Sequence, residues 1–235
     1  MSDIQRLIIG VYFTLTMFYV VSVNLFPGDV LVRLTGWVTV LTIFIAALSI
    51  EKKCLEQKVL TVAAFFMVIG DFFLGLGERI GILKSWDVPL GMFGFMISYI
   101  FLIIAFQKNF SIKGKNLWAI LPIAVVFITI FFNLAEFVKG PMFVAALVFG
   151  LVLCYMCWTA LCSLFRGYFS KKAAWLIAIS GCLIFISDMG VAHAVFNPLF
   201  KGQFVPWLKV YIWITFVPAW TLILATVTEE NLKVQ

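Results

Sequence analysis

The chain contains about eight runs of roughly twenty mostly apolar residues, separated by short charged or Gly/Pro-containing breaks. A helix of that length crosses the hydrocarbon core of a bilayer. Because every connection is short, neighbouring helices should pack antiparallel. The sequence therefore predicts an all-α fold, a polytopic integral membrane bundle of eight transmembrane helices in a single domain over residues 1–235. The predicted spans are residues 5–25, 30–50, 59–77, 89–107, 116–134, 141–165, 172–196 and 206–227.

The composition agrees with a membrane location and argues against a nucleic-acid partner. Apolar residues make up 64% of the chain and charged residues only 12%, so a soluble domain could not cover the apolar surface. The net charge of +6 comes from small groups of basic residues between the spans, with no continuous basic stripe. An even number of spans places both termini on one side, and most of the 17 Lys and Arg residues fall on that side. The positive-inside rule then predicts cytoplasmic termini for a multi-pass protein, in the cytoplasmic membrane if the source is bacterial.

Two aspartates, Asp71 and Asp188, lie within predicted spans, whereas the other acidic residues lie in loops, tails or helix ends. A carboxylate at the centre of a span costs about 3 kcal/mol on insertion scales, so each should face the bundle interior and have a polar partner. Asp71 is about 20 Å along its helix from Lys58, and Asp188 about 24 Å from Lys172. Both helices run outward, so the two acids should lie at similar depth. If the third and seventh helices meet, their carboxyl groups can share one pocket in the outer half of the membrane.

Such a pair of acids would not ionise equally. Burial and mutual repulsion keep one proton on the pair near neutral pH, which leaves one carboxylic acid and one carboxylate. That combination suits general acid/base hydrolysis without a metal. A proton relay in a transporter, or a protonated aspartate that only bonds a neighbouring helix, fits the same residues, and burial alone leaves these three alternatives open. We expect no metal site, because His193 is the only histidine.

Several polar residues near the two aspartates are candidates to contact a substrate. Glu78 lies seven residues beyond Asp71, on the same helix face and near its outer rim. The other candidates are Ser98, Tyr99, Asn133 and Ser187. For each of these residues an ordinary helix contact is the simpler interpretation.

Three short motifs, in this order, resemble those of the YhhN family of lysoplasmalogenases, which are eight-helix membrane proteins. The motifs are Gly70-Asp71-Phe72-Phe73-Leu74, then Gly94-Phe95 with Ser98-Tyr99, and finally Gly181 with Phe185-Ile186-Ser187-Asp188. The resemblance implies a hydrolase of the vinyl-ether bond of lysoplasmalogens, which yields a fatty aldehyde and a glycerophospho-headgroup. It also implies a lysophospholipid substrate beside membrane lipid, no cofactor, and Asp71 and Asp188 as the catalytic acids.

The chain departs from the family pattern in the fourth helix. Many family members carry a histidine there, and Tyr99 stands beside Ser98 in the corresponding place. The substitution bears on headgroup contacts, substrate choice and activity. A proton-coupled transporter or a lipid-binding membrane protein is the alternative function. The absence of a recognisable inverted repeat argues against the transporter.

Overall fold

The structure is a computed structural model that describes residues 1–77, 86–200 and 205–234. This part of the chain contains eight helices that are long and apolar enough to cross a membrane, which confirms the predicted all-α architecture. The helices are α1 (Asp3–Leu25), α2 (Val30–Ser49), α3 (Leu55–Gly77), α4 (Asp87–Phe106), α5 (Lys115–Ala135), α6 (Pro141–Arg166), α7 (Lys171–Phe196) and α8 (Pro206–Val227).

Seven of these helices pack in a closed ring, and the eighth lies outside it. Contacts run in the order α1, α2, α3, α4, α6, α7, α8 and back to α1. Helix α5 lies mainly against α6 and is the least buried of the eight. Helices α7 and α8 are the most buried, and α8 also reaches α2 and α3. The site described below is therefore built around α8.

Helices α3 and α4 approach very closely, because glycines face each other at their crossing. A Cβ added to Gly94 would lie 2.8 Å from the backbone nitrogen of Gly70, closer than real side chains allow. A Cβ on Gly91 would lie 2.4 Å from the Leu74 side chain. Small residues of this kind let helix backbones pack tightly where lipid provides no hydrophobic driving force. The crossing fixes the position of the segment that carries Asp71.

Helix α3 changes its winding directly after Asp71. Residues Leu55–Asp71 are α-helical, and Phe72–Gly77 form a π-helical segment. Single π-helical turns are rare and are often found at functional sites. The wider turn displaces the helix backbone just beyond the carboxylate.

One expected helix start needs correction. Helix α3 begins at Leu55, four residues earlier than predicted, because the Gln57 side chain accepts hydrogen bonds from the backbone N–H groups of Lys53 and Cys54 and caps the polar end of the helix. Helix α4 begins at Asp87, and Trp86 is its N-cap. The Asp87 side chain is buried and has no hydrogen-bond partner among the described residues.

The N- and C-terminal segments meet at one end of the bundle, which we call the termini end; the opposite end is the distal end. The amide nitrogen of Gln5 donates a hydrogen bond of 2.8 Å to the carboxylate of Glu229. Lys172 forms an ion pair of 2.7 Å with the same carboxylate. Both termini therefore lie on the same side of the bundle, as an even number of spans requires.

A second carboxylate at the termini end, that of Glu56, is buried among cations. Its oxygens lie 3.3 Å from the Lys108 ammonium and 3.0 Å from that of Lys233, and the Tyr168 hydroxyl donates a hydrogen bond of 2.6 Å. The C-terminal segment is also held by backbone bonds, one of them 3.0 Å from the N–H of Val234 to the carbonyl of Tyr168. These contacts close the termini end.

Candidate functional site

A cavity of about 70 Å³ lies near the distal end, and Asp71 forms part of its wall. Helices α1, α2, α3 and α8 contribute its lining. The described residues that line it are Tyr19, Val23, Gly28, Arg33, Trp37, Asp71, Leu74, Gly75, Lys209 and Trp213. A larger depression, of about 530 Å³, lies along α1 alone and has a mostly apolar lining. Only the smaller cavity includes one of the two aspartates that lie within spans.

The cavity has a charged layer and an aromatic layer, one helical turn apart. In α2 the lining residues are Arg33 and Trp37, and in α8 they are Lys209 and Trp213. Residues four apart lie on the same helix face, separated by about 6 Å along the axis. Both helices run from the distal end inward, so the two cations lie near the distal end and the two indoles lie deeper.

The deeper layer also contains Tyr19 and Asp71. The ring of Tyr19 packs against Trp213 with 4.0 Å between centroids. Gly75 lies one turn beyond Asp71, and a Cβ there would come within 3.7 Å of the Asp71 carboxylate. With glycine at this position the carboxylate keeps open space on its distal side. The floor of the cavity therefore combines one carboxyl group with three aromatic rings.

The charges around the cavity act on one another. Lys209 lies close enough to Asp71 to interact with its carboxylate electrostatically. Arg33 and Asp71 both lie within electrostatic range of the Tyr19 hydroxyl. With two cations and one carboxylate, the cavity has a positive balance among its described lining residues.

Asp188 has a different environment, in the packed core of the bundle. Its carboxylate is 8% exposed and accepts a hydrogen bond of 2.6 Å from the hydroxyl of Tyr99, which is fully buried. The Tyr99 ring packs against Phe95 and Phe149, with centroids 6.0 and 5.7 Å away. Tyr99 is thus the polar partner that the burial of Asp188 required.

The structure does not place the two aspartates in one cavity. Asp188 is not among the described residues that line the Asp71 cavity. Helix α3 packs mainly against α2 and α4, with a smaller contact to α8, whereas α7 packs mainly against α6 and α8. A chain of ring contacts, with centroids about 6 Å apart, connects the two environments. It runs from Trp213 through Phe216 and Phe95 to Tyr99.

The two aspartates nevertheless lie beside the same turn of α8. Ser187, which precedes Asp188, donates a hydrogen bond to the carbonyl of Ile212. The next residue, Trp213, lines the cavity that contains Asp71. This arrangement supports the expectation that the two acids lie at similar depth.

Comparison with known proteins places the chain in a family. The sequence profile of the YhhN family matches residues 5–227, nearly the whole chain. The chain belongs to the YhhN family. Searches of curated proteins and of solved structures give no significant match. The eight apolar helices agree with membership of this family. Asp71 and Asp188 both lie within the matched residues.

The remaining candidate residues that the structure describes in this YhhN protein make local or helix-to-helix contacts. Ser98 is fully buried and donates to the carbonyl of Ala63 in α3. Asn133 is exposed and bonds the carbonyl of Thr129 in its own helix. Glu78 lies outside the described residues. The His193 ring packs against Phe200.

The sequence reasoning missed most of the residues that line the YhhN protein's cavity. The basic residues were interpreted only as topology signals, and two of them, Arg33 and Lys209, line the cavity. A pattern was present, since each cation lies within its helix, four residues before a tryptophan. The same pattern is typical of interfacial anchors at the ends of spans, so it does not by itself indicate a pocket.

Proposed function

We propose that this YhhN-family protein is a membrane hydrolase that cleaves the vinyl-ether bond of lysoplasmalogens to a fatty aldehyde and a glycerophospho-headgroup. The observation that carries the proposal is the position of Asp71. Its carboxyl group lies on a cavity within the membrane-spanning bundle, one turn below two cations and beside three aromatic rings. An amphiphilic substrate with a reactive bond near its headgroup fits this order of groups.

The first step is transfer of the Asp71 proton to carbon. The electrons of the carbon–carbon double bond form the new C–H bond at the carbon that is not attached to oxygen. The other carbon and the ether oxygen then share the positive charge of an oxocarbenium ion. A buried carboxyl group can act as the acid, because low polarity favours its neutral form.

The cavity floor supports the cationic intermediate. The rings of Tyr19, Trp37 and Trp213 line the space beside Asp71. The faces of aromatic rings attract cations, by about 0.5 to 2 kcal/mol per contact. The Asp71 carboxylate formed in the first step adds a favourable charge interaction.

Water completes the reaction. A water molecule adds to the oxocarbenium carbon and gives a proton to the Asp71 carboxylate, which restores the acid. The resulting hemiacetal breaks its bond to the glycerol oxygen, which takes up the hemiacetal proton. The net change is the addition of one water molecule, and the products are the aldehyde and the free glycerol hydroxyl.

We assign Asp188 an electrostatic role in this scheme. The hydrogen bond from Tyr99 stabilises a negative charge on Asp188. We assign the transferable proton to Asp71, because its carboxyl group lies on the cavity where the substrate would meet it. Because charges interact over longer distances where no water screens them, ionised Asp188 also favours the cation that forms in the cavity. This assignment draws on the family resemblance as well as on the hydrogen bond.

Aldehyde release by the purified protein tests the proposal. The substrate is a 1-alkenyl lysophosphatidylethanolamine, and the matched controls are the 1-alkyl and 1-acyl lysolipids of the same chain length. We expect aldehyde from the alkenyl lipid alone, and none from the Asp71→Asn, Asp188→Asn double variant. Absence of aldehyde from every vinyl-ether lysolipid would refute the proposed activity. Release by the double variant at the unmodified protein's rate would refute the mechanism.

A further inference from the structure

Arg166, the last residue of α6, is a buried cation at the termini end of the bundle. Its side chain is only 9% exposed, and none of its three guanidinium nitrogens has a hydrogen-bond partner in the part of the chain that the structure describes. The thiol of Cys162 lies beside the guanidinium, but a thiol is a weak acceptor and brings no compensating charge. Because an unpaired buried charge is costly, we expect a charged partner from outside the chain.

Two aromatic rings hold the guanidinium in place. Its central carbon lies 5.1 Å from the ring centroid of Trp158 and 5.6 Å from that of Phe110. Trp158 precedes Arg166 by about two turns of α6, and its indole N–H donates a hydrogen bond of 2.6 Å to the carbonyl of Asn116 near the start of α5. Ring faces attract the cation, but they provide no oxygen acceptors for the N–H groups of an arginine. The rings therefore position the cation and leave its hydrogen-bonding groups unused.

Phe110, in the loop between α4 and α5, covers the guanidinium from outside. The preceding residue, Asn109, donates a hydrogen bond of 3.2 Å from its side chain to the carbonyl of Arg166. This bond fastens the loop to the end of α6 and sets the Phe110 ring over the guanidinium. Phe110 is nevertheless 54% exposed. Its ring can therefore turn into the surrounding lipid and open the guanidinium to a ligand.

The segments around Arg166 are basic and contain no acidic residue. Residues 107–119 and 158–172 include no Asp or Glu, and their basic residues are Lys108, Lys113, Lys115, Arg166, Lys171 and Lys172. Lys108 pairs with the buried Glu56, and Lys172 with the buried Glu229. Among the described residues, the other four basic side chains of these segments take part in no ion pair. This corner of the termini end therefore has an excess of positive charge.

Exposed apolar side chains alternate with these cations. Phe110, Ile112, Leu117 and Trp118 are each more than half exposed. Lysines interleaved with large apolar residues are typical of a segment that lies in the bilayer interface, with its cations at the lipid phosphates. The positive-inside rule predicts that this end faces the cytoplasm, and the cytoplasmic leaflet is rich in anionic lipid. An anionic phospholipid fits both the charge and the apolar surface.

We propose that Arg166, with Lys113 and Lys115, binds the phosphate group of an anionic phospholipid at the termini end. The phosphate oxygens accept hydrogen bonds from the guanidinium at the place that the Phe110 ring covers. The displaced ring and the lipid chains then lie together beside α5. Arginine suits this role because its paired N–H groups match two phosphate oxygens. The site lies at the opposite end of the bundle from the Asp71 cavity, so this lipid is a bound partner and not a substrate.

Competitive native mass spectrometry of the full-length protein tests the inference. The protein in a neutral detergent is offered equal amounts of phosphatidylglycerol and phosphatidylcholine with the same acyl chains, and the ratio of the two bound lipids is measured. We expect a preference for phosphatidylglycerol, and Arg166→Gln should lower that preference about tenfold. Lys58→Gln, which removes an exposed cation of α3 at the same end, is the matched control and should leave the ratio unchanged.

Two further variants separate binding from folding. The Lys113→Gln, Lys115→Gln double variant alters only exposed side chains, and it should lower the preference about threefold. Phe110→Ala removes the covering ring and should strengthen the preference, because no ring has to be displaced. An unchanged ratio in the double lysine variant, or in a folded Arg166→Gln variant, would overturn the inference, and so would an equal loss in Lys58→Gln.

A soluble phosphate ester tests whether the ligand is a lipid. Glycerol 3-phosphate lacks acyl chains, so at equal concentration it should not displace phosphatidylglycerol from the unmodified protein. Displacement would overturn the assignment of a lipid and would favour a free phosphate ester at Arg166.

Discussion

Helix α3 carries a carboxylate near each end, and the two carboxylates have similar neighbours in different surroundings. At the termini end, Glu56 meets two ammonium groups and one tyrosine hydroxyl at 2.6 to 3.3 Å. The side chain of Glu56 is only 4% exposed. The carboxylate of Glu56 holds the C-terminal segment against the bundle through its ion pair with Lys233.

Toward the distal end, Asp71 also has two cations and a tyrosine nearby, but they surround a cavity. Arg33, Lys209 and Tyr19 line the same space as the carboxyl group. The same types of side chain therefore form a closed ion-pair network at one end and a lined opening at the other. The comparison indicates which feature marks the functional end of α3. That feature is the open space beside the carboxylate, because burial and charged neighbours are found at both ends.

The largest expected effect concerns Asp71, which borders the cavity toward the distal end of α3. Asp71→Asn keeps the size of the side chain and removes the transferable proton, so aldehyde release should fall at least about 100-fold, within the usual range for general acid catalysis. The melting temperature should stay close to that of the unmodified protein, because the side chain borders a cavity. Initial rates from alkenyl lysolipid, measured beside thermal unfolding in the same detergent, check both statements. Normal turnover by a folded Asp71→Asn variant would contradict the assignment of the functional site to this end of α3.

At the termini end we expect a substitution to lower the stability of the protein and to leave its turnover unchanged. Glu56→Gln leaves Lys108 and Lys233 without their carboxylate, and we expect a loss of about 2 kcal/mol in the free energy of unfolding. The rate per folded molecule should not change, because the network lies at the other end of the bundle. Thermal unfolding and initial rates measure the two quantities. A loss of turnover in stably folded Glu56→Gln would show that the two ends are coupled.

A smaller effect is expected at the buried partner of the second aspartate. Tyr99→Phe removes the hydroxyl that stabilises the Asp188 carboxylate, so turnover should fall about tenfold, the cost of one charge-assisted hydrogen bond. Ser98→Ala is the control, because that adjacent hydroxyl bonds only a backbone carbonyl of α3. Initial rates of the two variants test the assignment. Similar rates for both would remove Asp188 from the proposed scheme.

The smallest expected effect is a pH dependence at the termini end. Burial by itself raises the pKa of the Glu229 carboxyl, but hydrogen bonds from Lys172 and Gln5 outweigh it and lower the pKa below its usual value. A lowered pKa in the folded state stabilises the protein above the unfolded pKa, about 4.3, and this contribution is lost as the pH falls through the folded value.

The gap in the free energy of unfolding between the unmodified protein and Glu229→Gln measures that contribution. It should be less than about 1 kcal/mol at pH 6.5, since Lys172 is 37% exposed and solvent screens the ion pair. The gap should narrow as the pH falls below 4.3. A gap that stays constant or widens on acidification would contradict the assigned sign.

The sequence predicted the helices and the two unusual acids well, because both are local properties. Apolar length decides whether a segment can span a bilayer, and a lone carboxylate such as Asp71 or Asp188 is visible within its span. The one sizeable error in a span boundary, at Leu55, occurred where a side-chain cap extends the helix beyond its apolar stretch. Hydropathy does not register such a cap.

The cavity could not be predicted, because it depends on which helices become neighbours. Residues of α1, α2, α3 and α8 line it, and only the closure of the ring brings α8 beside α1 and α2. The expectation of one pocket for both aspartates assumed contact between α3 and α7. Tight glycine packing places α4 against α3 instead, and Tyr99 on α4 is the residue that reaches Asp188.

An experimental structure with a bound 1-O-alkyl lysophospholipid is the most direct test of the central claim that the Asp71 cavity receives the reacting part of the lipid. The account predicts that the second carbon of the alkyl chain, which takes the proton in the vinyl ether, lies in contact with the Asp71 carboxyl group, at about 4 Å. It also predicts a chain that leaves the aromatic layer toward the bundle surface. A lipid that binds elsewhere and leaves this cavity empty would contradict the claim.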